Sequence, residues 1–115
     1  DGRKWPWGDE FDKSNCNGDS EGTSSVRKYP QGRSPYGCYD MSGNVWQWTE
    51  SYRDDGHTRF VMIRGGSYFD AKGSDWYVKG SAQPLDRHTK FILMYPGLDR
   101  CATIGFRCAA DVKSE

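Results

Sequence analysis

The stretch Tyr36–Glu50 (YGCYDMSGNVWQWTE) constrains the fold more than any other part of the chain. Trp46 and Trp48 alternate with Val45 and Gln47, and a period of two reads as strand. Ahead of them, Ser42-Gly43-Asn44 is turn chemistry, because Gly and Asn tolerate positive φ. The spacing lets Asp40, Gln47 and turn carbonyls converge on one hard cation, which takes several oxygen ligands. The same residues also describe a tight turn that feeds an aromatic core strand.

Hydrophobic residues make up only 35% of the 115-residue chain but aromatics 15%, so a core here rests on a few large rings. Glycine is abundant and helix-period patterns are scarce, which favours short strands and long irregular loops. Sixteen basic and sixteen acidic residues cancel, which removes any electrostatic case for nucleic acid. No apolar run approaches the roughly 18 residues of a membrane span. No signal peptide or lipidation motif is visible, and a processed chain would have lost one.

Residues 1–35 read as loop, anchored by Trp5, Trp7, Phe11, Val26 and Tyr29. Asn15, Asn17 and Asp19 surround Gly18, a composition shared by calcium loops and by solvated Asx turns. Ser51–His57 is polar and holds the turn signal Asp54-Asp55-Gly56. Arg59–Ile63 reads as a buried strand, and the paired glycines of Arg64-Gly65-Gly66-Ser67 permit a bulge or a close backbone approach. Trp76, Tyr77 and Val78 form a short apolar segment. Ser81–Thr89 is turn-like. Phe91–Tyr95 is a strand or a buried extended loop, and Ala102–Ala110 a strand with Ile104, Phe106 and Cys108 on one face.

Cys16, Cys38, Cys101 and Cys108 show no C-x-x-C spacing of a zinc or redox site. The spacing of Cys101 and Cys108 permits a disulfide. Four cysteines in so short a chain lean towards an extracytoplasmic or secreted protein. His57 and His88 are lone histidines in polar surroundings and read as surface residues.

Asp40-Met41-Ser42-Gly43-Asn44-Val45-Trp46-Gln47-Trp48 resembles the signature of the formylglycine-generating-enzyme-like (sulfatase-modifying-factor) family. Trp5-Pro6-Trp7-Gly8-Asp9, Arg64-Gly65-Gly66-Ser67-Tyr68 and Gly105-Phe106-Arg107-Cys108-Ala109 match further family motifs in the right order. The resemblance implies an α+β, C-type-lectin-like fold with short strands, little regular structure and long loops. It places residues 1–115 as the C-terminal half of one domain, with the N-terminal half on another chain, cut away, or dispensed with in a minimal version. It also implies that Cys108 pairs with a cysteine in that other half, and that Arg107 is structural.

Calcium is implied at two places. One set is Asp40, the carbonyls of Gly43 and Val45, and Gln47, where the family has Glu. The other is Asn17, Gly18 and Asp19. The catalytic implication is negative. The family's two copper(I)-binding cysteines fall at Asp70 and Asp75, and carboxylates are hard ligands unsuited to copper(I). No formylglycine-generating activity and no copper are therefore expected. Asp70 and Asp75 are left as an acid/base pair, a divalent-cation site or solvent-facing loop residues.

Two classes of function follow. The first is a non-catalytic, calcium-stabilised domain that binds a peptide, glycan or protein partner. Its cleft would use Trp46, Ser67, Asp70, Trp76, Tyr77 and Arg87, although the rings would serve equally as core. It would act alone or in a larger assembly. The second is a metal-dependent oxidative or sulfur-transfer enzyme, whose histidine cluster would have to lie on the other half.

Overall fold

The computed structural model describes residues 1–70, 81–92 and 102–112. Asp75, Trp76, Tyr77, Val78, residues 93–95 and Cys101 lie outside the described residues.

Among the described residues four strands form one mixed sheet: β1 (Trp46–Asp54), β2 (Arg59–Arg64), β3 (His88–Ile92) and β4 (Ile104–Gly105), in the order β3-β2-β1-β4. β1 and β2 are an antiparallel hairpin, β3 is antiparallel to β2, and β4 is parallel to β1. Residues 1–45 are loop, apart from 3₁₀ turns at Lys13–Asn15 and Pro30–Gly32 and an isolated bridge between Trp5 and Gly8. Among the described residues there is no α-helix. Short strands and long loops are as the composition predicts.

Among the described residues the core is small and joins one ring to aliphatics, rather than the several rings the composition suggests. Trp46, Val61 and Ile63 are buried together, with Ile104 of β4 packed against them. Trp48 stands two positions on from Trp46, yet it is 37% exposed. The difference comes from a bulge. From Trp48 to Tyr52, β1 advances four positions while its partners in β2 advance only two, Ile63 to Val61. The extra residues carry β1 away from the core. Thr49 stitches the irregularity, its Oγ1 donating to the Met62 carbonyl at 2.7 Å and accepting from the Ser51 amide at 3.2 Å.

Three sequence expectations need correction. β1 runs through Ser51–Asp54, which reads as polar turn, because ladder pairing of Tyr52, Arg53 and Asp54 with Val61, Phe60 and Arg59 decides the backbone there. β3 begins at His88, inside the stretch read as turn, because His88 and Thr89 pair with Arg64 and Ile63. The strand expected over Ala102–Ala110 is only Ile104–Gly105, paired with Trp46 and Gln47. Beyond it Phe106 is 77% exposed and Cys108 is exposed, so neither shares a buried face with Ile104.

Candidate functional site

The loops that the sheet supports meet at Asp40–Asn44. Asp40, Gly43 and Asn44 all have positive φ, at 53°, 86° and 70°. Gly43 must be glycine on a second ground: a Cβ there would sit 2.7 Å from the Asn17 carbonyl oxygen. Its amide donates to the Gly65 carbonyl at 2.8 Å, and the Asn44 amide donates to the Asn17 carbonyl at 2.8 Å. Gly65 and Gly66 complete the junction, with a Cβ on Gly66 falling 2.0 Å from the Ser81 carbonyl oxygen. The close approach read from the paired glycines is what the structure contains.

Asn44, buried, is the hub. Its Oδ1 accepts from the Ser24 amide at 2.9 Å, and its Nδ2 donates to Asp40 Oδ2 at 3.0 Å and to the Ser24 carbonyl at 3.2 Å. Its carbonyl accepts from the Tyr68 amide at 2.9 Å. Asp40 is buried, and burial pushes its carboxyl above the usual range against the pull of the Asn44 bond and the Arg107 charge. Ser42 Oγ donates to the Gln83 carbonyl at 2.8 Å, tying in the segment before β3.

Trp76 and Tyr77 of the expected cleft lie outside the described residues, and those described differ in exposure. Trp46 is core, and Ser67 is only 1% exposed. Arg87 is exposed at the turn ahead of β3. Asp70 instead lines a cavity of about 420 Å³ with Cys16, Asn17, Gly18, Asp19 and Tyr29. The sequence reading keeps Asn17–Asp19 and Asp70 in separate sites and assigns Cys16 to neither. Nothing local signals the cavity, since 63 positions separate Gly18 from Ser81, which a hydroxyl-to-carbonyl bond of 2.7 Å joins. Burial pushes the Cys16 thiol up to about 11, helped by the negative charges of Asp12 and Asp40. Among the described residues Cys16, Cys38 and Cys108 are free thiols and no disulfide forms.

The two implied calcium sets differ in fit. At the cavity the donors are hard: Asp19 and Asp70 carboxylates, the Gly18 carbonyl, and the Asn17 amide. Asn17 Oδ1 and the Gly18 carbonyl accept from Ser20 and Ser81 hydroxyls at 2.6 and 2.7 Å, and hydroxyls can rotate aside. Among the described residues no three His, Cys, Asp or Glu side chains converge, so an ion there would depend on carbonyl and amide oxygens. At the Asp40 turn the donors do not fit. Gln47 Nε2 donates to the Asp40 carbonyl at 2.6 Å, which turns the amide's donor inward. Its Oε1 accepts from Arg107 Nε at 2.5 Å, and Arg107 Nη2 reaches the Tyr39 carbonyl at 2.5 Å.

A small curled sheet carrying long loops that are locked by buried side-chain amides defines a loop-scaffold domain. The model for the sulfatase-modifying factor enzyme 1-like domain matches residues 1–112, and the chain belongs to that family. It is 34% identical over 120 residues to the serine/threonine-protein kinase pkn1 of Chlamydia caviae, covering 96% of this chain and 18% of the relative. It is 31% identical over 122 residues to the inactive C-alpha-formylglycine-generating enzyme 2 of Bos taurus, covering 95% and 38%. It is 40% identical over 91 residues to the hercynine oxygenase of Mycolicibacterium smegmatis, covering 66% and 21%. The chain thus spans well under half the length of these curated relatives.

Proposed function

We propose that this chain is a non-catalytic sulfatase-modifying-factor-like domain. It has a C-type-lectin-like arrangement of loops and binds a peptide, glycan or protein partner at the cavity beside Asp70. The observation that carries this reading is the character of that cavity. Where the resemblance expects a copper(I)-binding thiolate, a carboxylate stands, and the neighbouring acid is Asp19. Hard oxygens do not hold copper(I) as thiolates do. The relative from Bos taurus, whose name calls it inactive, supports the same reading.

Calcium belongs to the proposal as a structural ligand of this cavity, held by Asp19, Asp70, the Gly18 carbonyl and Asn17. When bound, it neutralises the two carboxylates and ties the loop after Cys16 to the segment after Ser67, work that a small core does not do. The partner side of the proposal includes a chain carrying the remainder of a longer family domain, and an extracytoplasmic setting in which calcium is plentiful. Among the described residues no helix is long and apolar enough to cross a membrane.

The test is elemental analysis of dialysed wild type, Asp19→Asn and Asp70→Asn, together with incubation with a cysteine-containing peptide under oxygen and copper. The expected result is calcium near one per chain in wild type, reduced in both variants, with the peptide mass unchanged. Stoichiometric copper or iron, or conversion of the cysteine, would overturn it. Iron would favour the second reading, an oxidative or sulfur-transfer enzyme, which the hercynine oxygenase relative supports. His57 and His88 are exposed and 31 positions apart in sequence, so that reading draws its ligands from outside the described residues.

A further inference from the structure

We propose that Arg107 is the built-in cation of the Asp40 turn, so that the turn is closed by a guanidinium and takes no calcium. Three bonds form one relay. The Asp40 carbonyl accepts from Gln47 Nε2 at 2.6 Å, Gln47 Oε1 accepts from Arg107 Nε at 2.5 Å, and Arg107 Nη2 donates to the Tyr39 carbonyl at 2.5 Å. The amide of Gln47 suits the middle of this relay, because it donates on one side and accepts on the other, which an ionised carboxylate does not. A carboxylate at position 47 would leave the Asp40 carbonyl facing an acceptor. Gln47 and Arg107 are thus matched to each other, and together they take up the side-chain oxygen that an ion would need.

The electrostatics agree. Asp40 is only 8% exposed, and its Oδ2 accepts from Asn44 at 3.0 Å. A nearby positive charge favours the ionised form of a buried carboxylate. Arg107 borders the same shallow cavity, of about 270 Å³, which is lined by Asp40, Asn44, Val45, Gln47 and Phe106. Arg107 contributes through its fixed fork of donors, which spans Gln47 and Tyr39 at once and which a lysine could not reproduce.

The experiment is a double-mutant cycle in the full chain: wild type, Asp40→Asn, Arg107→Met and the pair, unfolded thermally in EDTA. Arg107→Met is expected to lower Tm by about 5 °C, a shift typical of one lost charge-assisted bond in a domain of this size. In the presence of Asp40→Asn the same substitution is expected to cost markedly less. Additive effects would overturn the proposal, as they would mean that Arg107 does not answer Asp40. Should Arg107→Met fail to fold, recovery of a cooperative transition in the double variant upholds the proposal and no recovery overturns it. Calcium titration gives a second arm. Calcium bound by wild type and lost in Asp40→Asn overturns this inference. Calcium lost in Asp19→Asn or Asp70→Asn but kept in Asp40→Asn belongs to the cavity, and so bears only on the proposed function.

Discussion

Asn44 shows how much of this fold rests on single side chains. It sits at φ 70° with both amide atoms bonded, and it holds Asp40, Ser24, Asn17 and Tyr68 in one junction. Asn44→Ala would leave the Ser24 amide and Asp40 Oδ2 without this partner, and would place a Cβ-only residue in the left-handed region. A loss of about 3 kcal/mol is expected, checked by urea unfolding. Two glycines separate crowding from backbone strain. Gly66→Ala drives a Cβ to 2.0 Å from the Ser81 carbonyl, whereas at Gly56, with a similar φ of 86°, nothing lies within 4 Å. Gly56→Ala is expected to cost about 1 kcal/mol and Gly66→Ala several times that, as the backbone of residue 81 must move. The turn at Ser42–Asn44 and the glycine pair were legible because φ > 0 leaves a mark in residue type. The Gln47–Arg107 pairing was not, since 60 positions separate two residues that each look ordinary alone.

At the scale of elements, the β1–β2 hairpin shows where local signals stop. The apolar run in β2 announced a strand. The second half of β1 did not, because Ser51–Asp54 are exposed and their extended backbone is imposed by the ladder rather than by burial. The connecting turn is fixed by carboxylates: Asp54 Oδ1 accepts from the Gly56 amide at 2.9 Å, and Asp55 Oδ1 from the His57 and Thr58 amides at 2.9 and 2.6 Å. Those two amide bonds hold the Asp55 carboxyl below the usual carboxylate range. With the folded-state value depressed, the contribution to stability is present above the unfolded-state value and is lost as pH falls through the folded one. Amide exchange at His57 and Thr58 is therefore expected to lose protection on acidification below about pH 4, before β2 does. In Asp55→Asn, where no carboxylate titrates, that acid-linked loss should vanish. Its persistence would assign the acid response to other groups.

For the molecule as a whole, surface and core are out of proportion. Among the described residues Tyr36, Val26, Tyr52 and Phe106 are 94%, 64%, 68% and 77% exposed, while the buried cluster is Trp46, Val61 and Ile63. Composition pointed to a core of few rings, but not to which rings would be left outside, since that depends on what each loop packs against. Burying Phe106 or Tyr52 against a partner would yield about 2 kcal/mol apiece, comparable with a large share of a small domain's total stability. The chain on its own is therefore expected to unfold in urea at a low midpoint with a shallow slope, because little surface is gained on unfolding. A partner segment that covers the aromatic surface should raise both midpoint and slope, and Phe106→Ser should weaken that gain while leaving the isolated chain's midpoint nearly unmoved. A steep, high-midpoint transition in the isolated chain would mean instead that this domain is self-sufficient, and that its exposed rings face solvent at no cost to the fold.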